Sequence, residues 1–237
     1  MKKTVLLLLL SSFSLSLFAQ KGGFIGVRAI PQSAWILNQD DFDSEDFDFG
    51  VPFSFAFALG GGYMFSDVVG IETQMLYSPQ GQKYIDSETS EEINIKNNYF
   101  KIPVLFRFRS EAEKVGFLFN IGPEFGFLVG SSINSSDGDL PPEFSGDTQY
   151  LYENFEFSIA MGIGTSISLG KSLQLDLLIN LDYGLSEIES TAGKELLFDY
   201  QNNGRASSNN AVAGFSVGLN YCFGGNSKEA KENTPVE

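Results

Sequence analysis

From Phe53 to Phe65 the chain alternates large apolar residues with small ones. Phe53, Phe55, Phe57, Leu59, Tyr63 and Phe65 share one parity, broken by Gly61. Ser54, Ala56, Ala58, Gly60, Gly62 and Met64 hold the other. Successive side chains of a strand point to opposite faces, so such a segment has one greasy face and one face of mostly small groups. The pattern recurs along the chain and predicts strands at residues 24–37, 53–65, 68–78, 98–109, 115–130, 154–169, 173–186 and 210–223. Several of these exceed the ~5–6 residues usual in soluble sheets and meet the ~9–11 that a tilted membrane strand needs.

The connections alternate in length. Ser66-Asp67, Ser110–Lys114 and Gly170–Ser172 read as tight turns, whereas 38–52, 79–97, 131–153 and 187–209 are long and polar. Short turns on one side and long loops on the other are the outer-membrane arrangement. The expected fold is therefore all-β: an eight-stranded, antiparallel, up-and-down transmembrane β-barrel. Alternation alone would also fit a lipocalin-like soluble barrel with its apolar face inward. Volume decides between them, because eight strands leave room only for the barrel's own side chains. Rows of Gly, Ser, Ala and Asn suit that interior, and the Phe-rich rows then face lipid. Tyr63, Phe65, Tyr221 and Phe223 are expected in an interfacial girdle on the short-turn side, with Tyr77 and Tyr99 on the other. Pro103 and Pro123 cannot donate to a ladder and are expected at a bulge or local kink.

Residues 1–19 read as a signal peptide. Lys2 and Lys3 precede an apolar stretch interrupted by serines, and Ala19 offers a small cleavage residue. No cysteine follows closely, so no lipid anchor is expected. The expected organisation is signal peptide 1–19, barrel 20–223 and a polar periplasmic tail 224–237, which places the protein in the outer membrane. Without the two leader lysines the net charge of −15 becomes −17, of which the long loops carry −15, and residues 38–52 hold six acids and no base. An acidic external surface with few clustered Lys or Arg excludes a nucleic-acid partner. An EF-hand in Asp40–Asp48 fails on spacing, since Asp46 falls where glycine is required and Pro52 where the last Glu belongs. That loop reads as solvated.

The sequence contains no histidine and a single cysteine, Cys222. That removes Ser-His-Asp and Cys-His nucleophiles, His-ligated metal and any internal disulfide. The expectation is a non-enzymatic protein with no catalytic residue, cofactor or metal. The inward register places Arg28, Lys101, Arg107 and Arg109 in the lumen against Glu72, Glu124, Glu156, Asp176 and Asp182. Unpaired buried charge is costly, so these must pair. They read as a structural network filling the barrel. A conduit or proton-linked gate is the competing reading, and a small-solute porin or transporter is the alternative function.

The segment Tyr99-Phe-Lys-Ile-Pro-Val-Leu-Phe-Arg-Phe-Arg109 resembles the PorT-like outer-membrane β-barrel family of Bacteroidetes-type bacteria. Gly122-Pro123-x-Phe125-Gly126 and the Phe18-Ala19-Gln20 ending of the leader are similar to that family too. The resemblance implies an eight-stranded outer-membrane barrel, embedded in lipid. Its possible partners are other envelope proteins or components of the type IX secretion machinery.

Overall fold

The computed structural model describes residues 22–42, 47–110, 114–138, 141–198 and 204–223. The segments read as signal peptide and tail lie outside the described residues, as do Asp43–Asp46 of the acidic loop. Among the described residues there are nine strands: β1 (Gly23–Leu37), β2 (Phe47–Gly50), β3 (Phe53–Met64), β4 (Val69–Asp86), β5 (Glu92–Arg109), β6 (Val115–Ser135), β7 (Phe155–Ser168), β8 (Leu173–Gly184) and β9 (Asn209–Cys222). Two short helices, α1 (Gln39–Phe42) and α2 (Thr191–Phe198), lie between them. Eight strands run antiparallel around a closed barrel in the order β1–β3–β4–β5–β6–β7–β8–β9. The ring shuts where β9 pairs with β1, from Phe24 opposite Cys222 to Leu37 opposite Asn209.

The faces fall as side-chain volume requires. Phe53, Phe55, Phe57 and Leu59 are exposed on the outer wall, while Ala56 and Ala58 are buried inside. The same holds for Phe117 against Leu118 and for Ile179 against Leu178. Gly62 has no room for a side chain, since a Cβ there would lie 2.2 Å from the Ile71 carbonyl and 2.6 Å from the Phe24 ring. The glycine triplet is thus a place of close packing among β1, β3 and β4.

Three strands are longer than the sequence pattern suggested. β4 continues to Asp86, β5 begins at Glu92 and β6 runs to Ser135. Residues 79–97 are therefore a hairpin and not a loop, and its tip turns on Asp86. The Asp86 carboxylate accepts hydrogen bonds from the Glu88 and Thr89 N–H groups and from the Thr89 hydroxyl. Those from Thr89 hold its carboxyl below the usual range. Ser90 takes the left-handed conformation, φ 63°. β2 adds to the same wall by pairing with Lys83–Asp86. The reason this wall reads as loop is physical. Beyond the bilayer the outward positions need no grease, so Lys83, Asn94, Lys96, Ser132 and Asn134 give no apolar alternation. Gly81 bends the wall at φ 143°, with the Ile95 carbonyl where a Cβ would sit.

The prolines do not make bulges. The β4–β5 ladder pairs Thr73 with Val104 and resumes at Leu76 with Lys101, skipping the positions around Pro103 without changing register. The β5–β6 ladder likewise skips opposite Pro123, between Pro103–Glu124 and Phe106–Ile121. A missing N–H interrupts pairing locally; it does not demand an extra residue. The register shift on this side lies at Asn98/Tyr99. Tyr99 also departs from its expected place in the outer girdle. It shares parity with Lys101, points inward and is fully buried, whereas Tyr77 is exposed as expected.

Candidate functional site

The interior is layered along the barrel axis. Nearest the short turns, Arg109 donates from Nη1 to Gln174 Oε1 at 3.1 Å, and the Cys222 thiol lies 3.6 Å from the same oxygen. Gln174 also bonds Ser166. Above them four charged groups interlock. Arg28 Nη2 lies 2.7 Å from Glu72 Oε1 and 3.3 Å from Asp176 Oδ2. Arg107 reaches Glu72 Oε2 and Asp176 Oδ2, each at 2.9 Å. Asn220 donates to Asp176 Oδ2 at 2.7 Å and Gln74 to Glu72 Oε1 at 2.8 Å. Two guanidiniums and two carboxylates from β1, β4, β5 and β8 thus balance. All four are buried.

A belt of apolar side chains follows, including Ile30, Leu76, Leu105, Leu178 and Val212. Beyond it sits a second charged group. Lys101 Nζ lies 2.9 Å from Glu124 Oε1 and 3.1 Å from Glu156 Oε2. Ser158 donates to Glu124 at 3.2 Å. Asp182, on β8, stands within electrostatic reach of Glu124, Lys101 and Glu156. Between the two charged layers is a cavity of about 30 Å³, lined in part by Arg28, Gln74, Asn120, Glu124, Asn180 and Asp182. The structure therefore sorts eight of the nine lumen residues expected from the sequence into two clusters. Arg109 stands apart on Gln174, and Asp182 is only partly buried.

Outside the bilayer the tall wall carries its own core. Ile36, Tyr84, Ile95, Tyr99, Leu128, Ile133, Leu151, Tyr152 and Ile188 pack together above the barrel mouth. Burial pushes the Tyr84 hydroxyl well above its ordinary range, with Asp41 beside it acting the same way.

Over this core lies a clasp that sequence reasoning missed. Arg205 donates from Nη1 to Asp41 Oδ1 at 2.6 Å and from Nη2 to Asp41 Oδ2 at 2.9 Å. Its Nε donates to Glu189 Oε2 at 2.7 Å and Nη2 to Glu189 Oε1 at 3.1 Å. Tyr84 Oη donates to Asp41 Oδ2 at 2.8 Å. Asp40 accepts from the Ala206 N–H at 2.7 Å, and Asn38 Nδ2 donates to the Ala206 carbonyl and to Ser208 Oγ. One guanidinium thus ties α1, the start of the β8–β9 connection and its end to the tall wall.

Nearby, burial would push the Glu187 carboxyl up. Hydrogen bonds from Lys194 and from the Glu189 and Ser208 N–H groups outweigh it and hold it below the usual range. The acidic loop is therefore not wholly solvated, because Asp41 is buried and paired. Six acids in one short stretch gave no sign of which would be chosen. The usable signal was Arg205, the one arginine in the four long connections.

Residues 5–223 match the outer membrane protein beta-barrel domain family. No curated protein matches the chain. Among solved structures, Neisserial surface protein A is 11% identical, with 86% of this chain and 98% of that one covered at a TM-score of 0.47. OprG from Pseudomonas aeruginosa is 14% identical, with 85% and 96% covered at 0.45. Ail of Yersinia pestis is 14% identical, with 85% and 99% covered at 0.40. These likenesses carry no argument about role. The family match covers nearly the whole chain, and with the closed antiparallel ring and its apolar outer wall it leads to one conclusion: the chain belongs to the outer membrane β-barrel family and resides in the outer membrane.

Proposed function

We propose that this barrel does not conduct, and that it acts through its external surface in envelope structure, partner binding or a secretion-related assembly. What carries the reading is the narrow middle of the lumen: about 30 Å³ of free space between two salt-bridged layers. That volume has room for only about two or three water molecules, and buried ion pairs are costly to part. The clasped loops over the mouth support closure from the other side. The protein is non-enzymatic on this reading, its lumen charges being structural. Residues 1–19 direct export and residues 224–237 form a periplasmic tail. The Tyr99–Arg109 segment supports a PorT-like member of the family, with envelope or secretion-machinery proteins as partners.

Planar-bilayer recording of the purified protein tests closure. The expected result is no steady conductance above the bare membrane. Sustained single-channel steps from pure protein would overturn it and establish the small-solute porin instead. Cross-linking in intact outer membranes, followed by pull-down, would identify the partner.

A further inference from the structure

The chamber between the charged layers has a composition that closure alone does not require. Glu124 and Asp182 line it from β6 and β8, together with the amides of Gln74, Asn120 and Asn180. Arg28 lines it too, but its guanidinium is engaged by Glu72 and Asp176. Asn120 is buried and its Oδ1 has no hydrogen-bond partner. Its Nδ2 leans toward Glu72 at 3.5 Å, which turns Oδ1 away from the balanced four-charge layer. Asn180 Oδ1 also lacks a partner. A buried carbonyl left so is destabilising, because it gives up its hydrogen bond to water and gains none in return. In the layer above, Lys101 is the one ammonium facing three carboxyl groups, those of Glu124, Glu156 and Asp182, among the described residues. A water molecule could satisfy the amide oxygens, but it would bring no charge.

We propose that this chamber binds one hard divalent cation of the calcium class, held by Glu124, Asp182 and the amide oxygens of Asn120 and Asn180. The inference rests on the closed-lumen reading. An all-oxygen set suits hard cations, and calcium accepts mixed carboxylate and amide oxygens in irregular geometry where magnesium demands a near-ideal octahedron. Among the described residues no three carboxylate, thiol or imidazole groups converge on one point, so the amide oxygens are an integral part of the ligand set. Two positive charges would balance the excess of carboxylates over Lys101, which would stay on Glu156.

The test loads the ion during folding, because the chamber lies between two salt-bridged layers. The full barrel is refolded into detergent micelles in millimolar CaCl₂, or in choline chloride of equal ionic strength, and then desalted. The expected result is one calcium per chain by elemental analysis and a Tm several degrees above the choline sample. Both should be lost in Asp182→Asn and in Asn120→Leu, with either variant sufficient if the other does not fold. No retained calcium would overturn the proposal. Equal uptake by the variants would also overturn it, assigning the ion to the acidic loops, and an equal response to MgCl₂ would overturn the calcium class. A protein that holds calcium yet conducts would count against closure, not against the site.

Discussion

Arg107 shows what a single side chain does in this lumen. It is wholly enclosed and joins Glu72 on β4 to Asp176 on β8, spanning the barrel interior. Removing one partner of a buried pair leaves the other charge without compensation, which costs about 3–5 kcal/mol. Arg107→Met is therefore expected to destabilise the barrel by about that amount. Denaturant unfolding in detergent, followed by the heat-dependent mobility shift of folded barrels on gels, measures it. A loss below about 1 kcal/mol, the range of surface pairs, would mean that Arg28 alone suffices for both carboxylates.

At this scale the sequence was a good guide to direction and a poor one to partners. Strict parity placed Arg28, Glu72, Arg107 and Asp176 inside, because a strand leaves each side chain only two choices. Which charge meets which depends on how far neighbouring strands are staggered, and no single strand records that. Tyr99 illustrates the hazard of setting parity aside. Its aromatic type suggested a girdle, but its position two residues from Lys101 already required it to face inward.

At the scale of elements, the decisive feature is that β4, β5 and β6 do not stop at the membrane. The run Pro79–Asp86 adds ~25 Å of strand beyond the bilayer at the usual rise per residue. Gly81 makes the bend in that run possible, since its φ of 143° and the adjacent Ile95 carbonyl exclude any side chain. Gly81→Val is expected to disorder the hairpin and spare the ring below. Limited proteolysis should then cut within residues 79–97 while the heat-dependent gel shift persists. Loss of the folded gel band would instead show that wall and barrel fold as one unit. The membrane part of each strand was legible because lipid demands an apolar residue at every second position. The wall was not, because water makes no such demand.

For the whole molecule, the proposed closure rests on two independent layers of contact. The lumen layers belong to the barrel, and the Arg205 clasp belongs to the connections above it. Arg205→Ala leaves Asp41 and Glu189 buried without their shared cation. It is expected to loosen α1 and the described parts of the β8–β9 connection, seen as faster amide exchange at residues 38–42, 187–198 and 204–208. Bilayer conductance should stay at the wild-type level, because the charged layers below are untouched. Channel activity in that variant would place the true barrier at the rim.

The tall wall stands on one side of the mouth only. β7, β8, β9 and β1 end near the bilayer, at Phe155, Gly184, Asn209 and Leu37, and their connections fold back against the wall's inner face. Seen down the membrane normal, the protein therefore has a front and a back. A neighbour approaching within the plane of the membrane meets either a stiff upright panel or a low shoulder, depending on azimuth. A complex built on the panel would fix the rotation of the barrel about its own axis as well as its position.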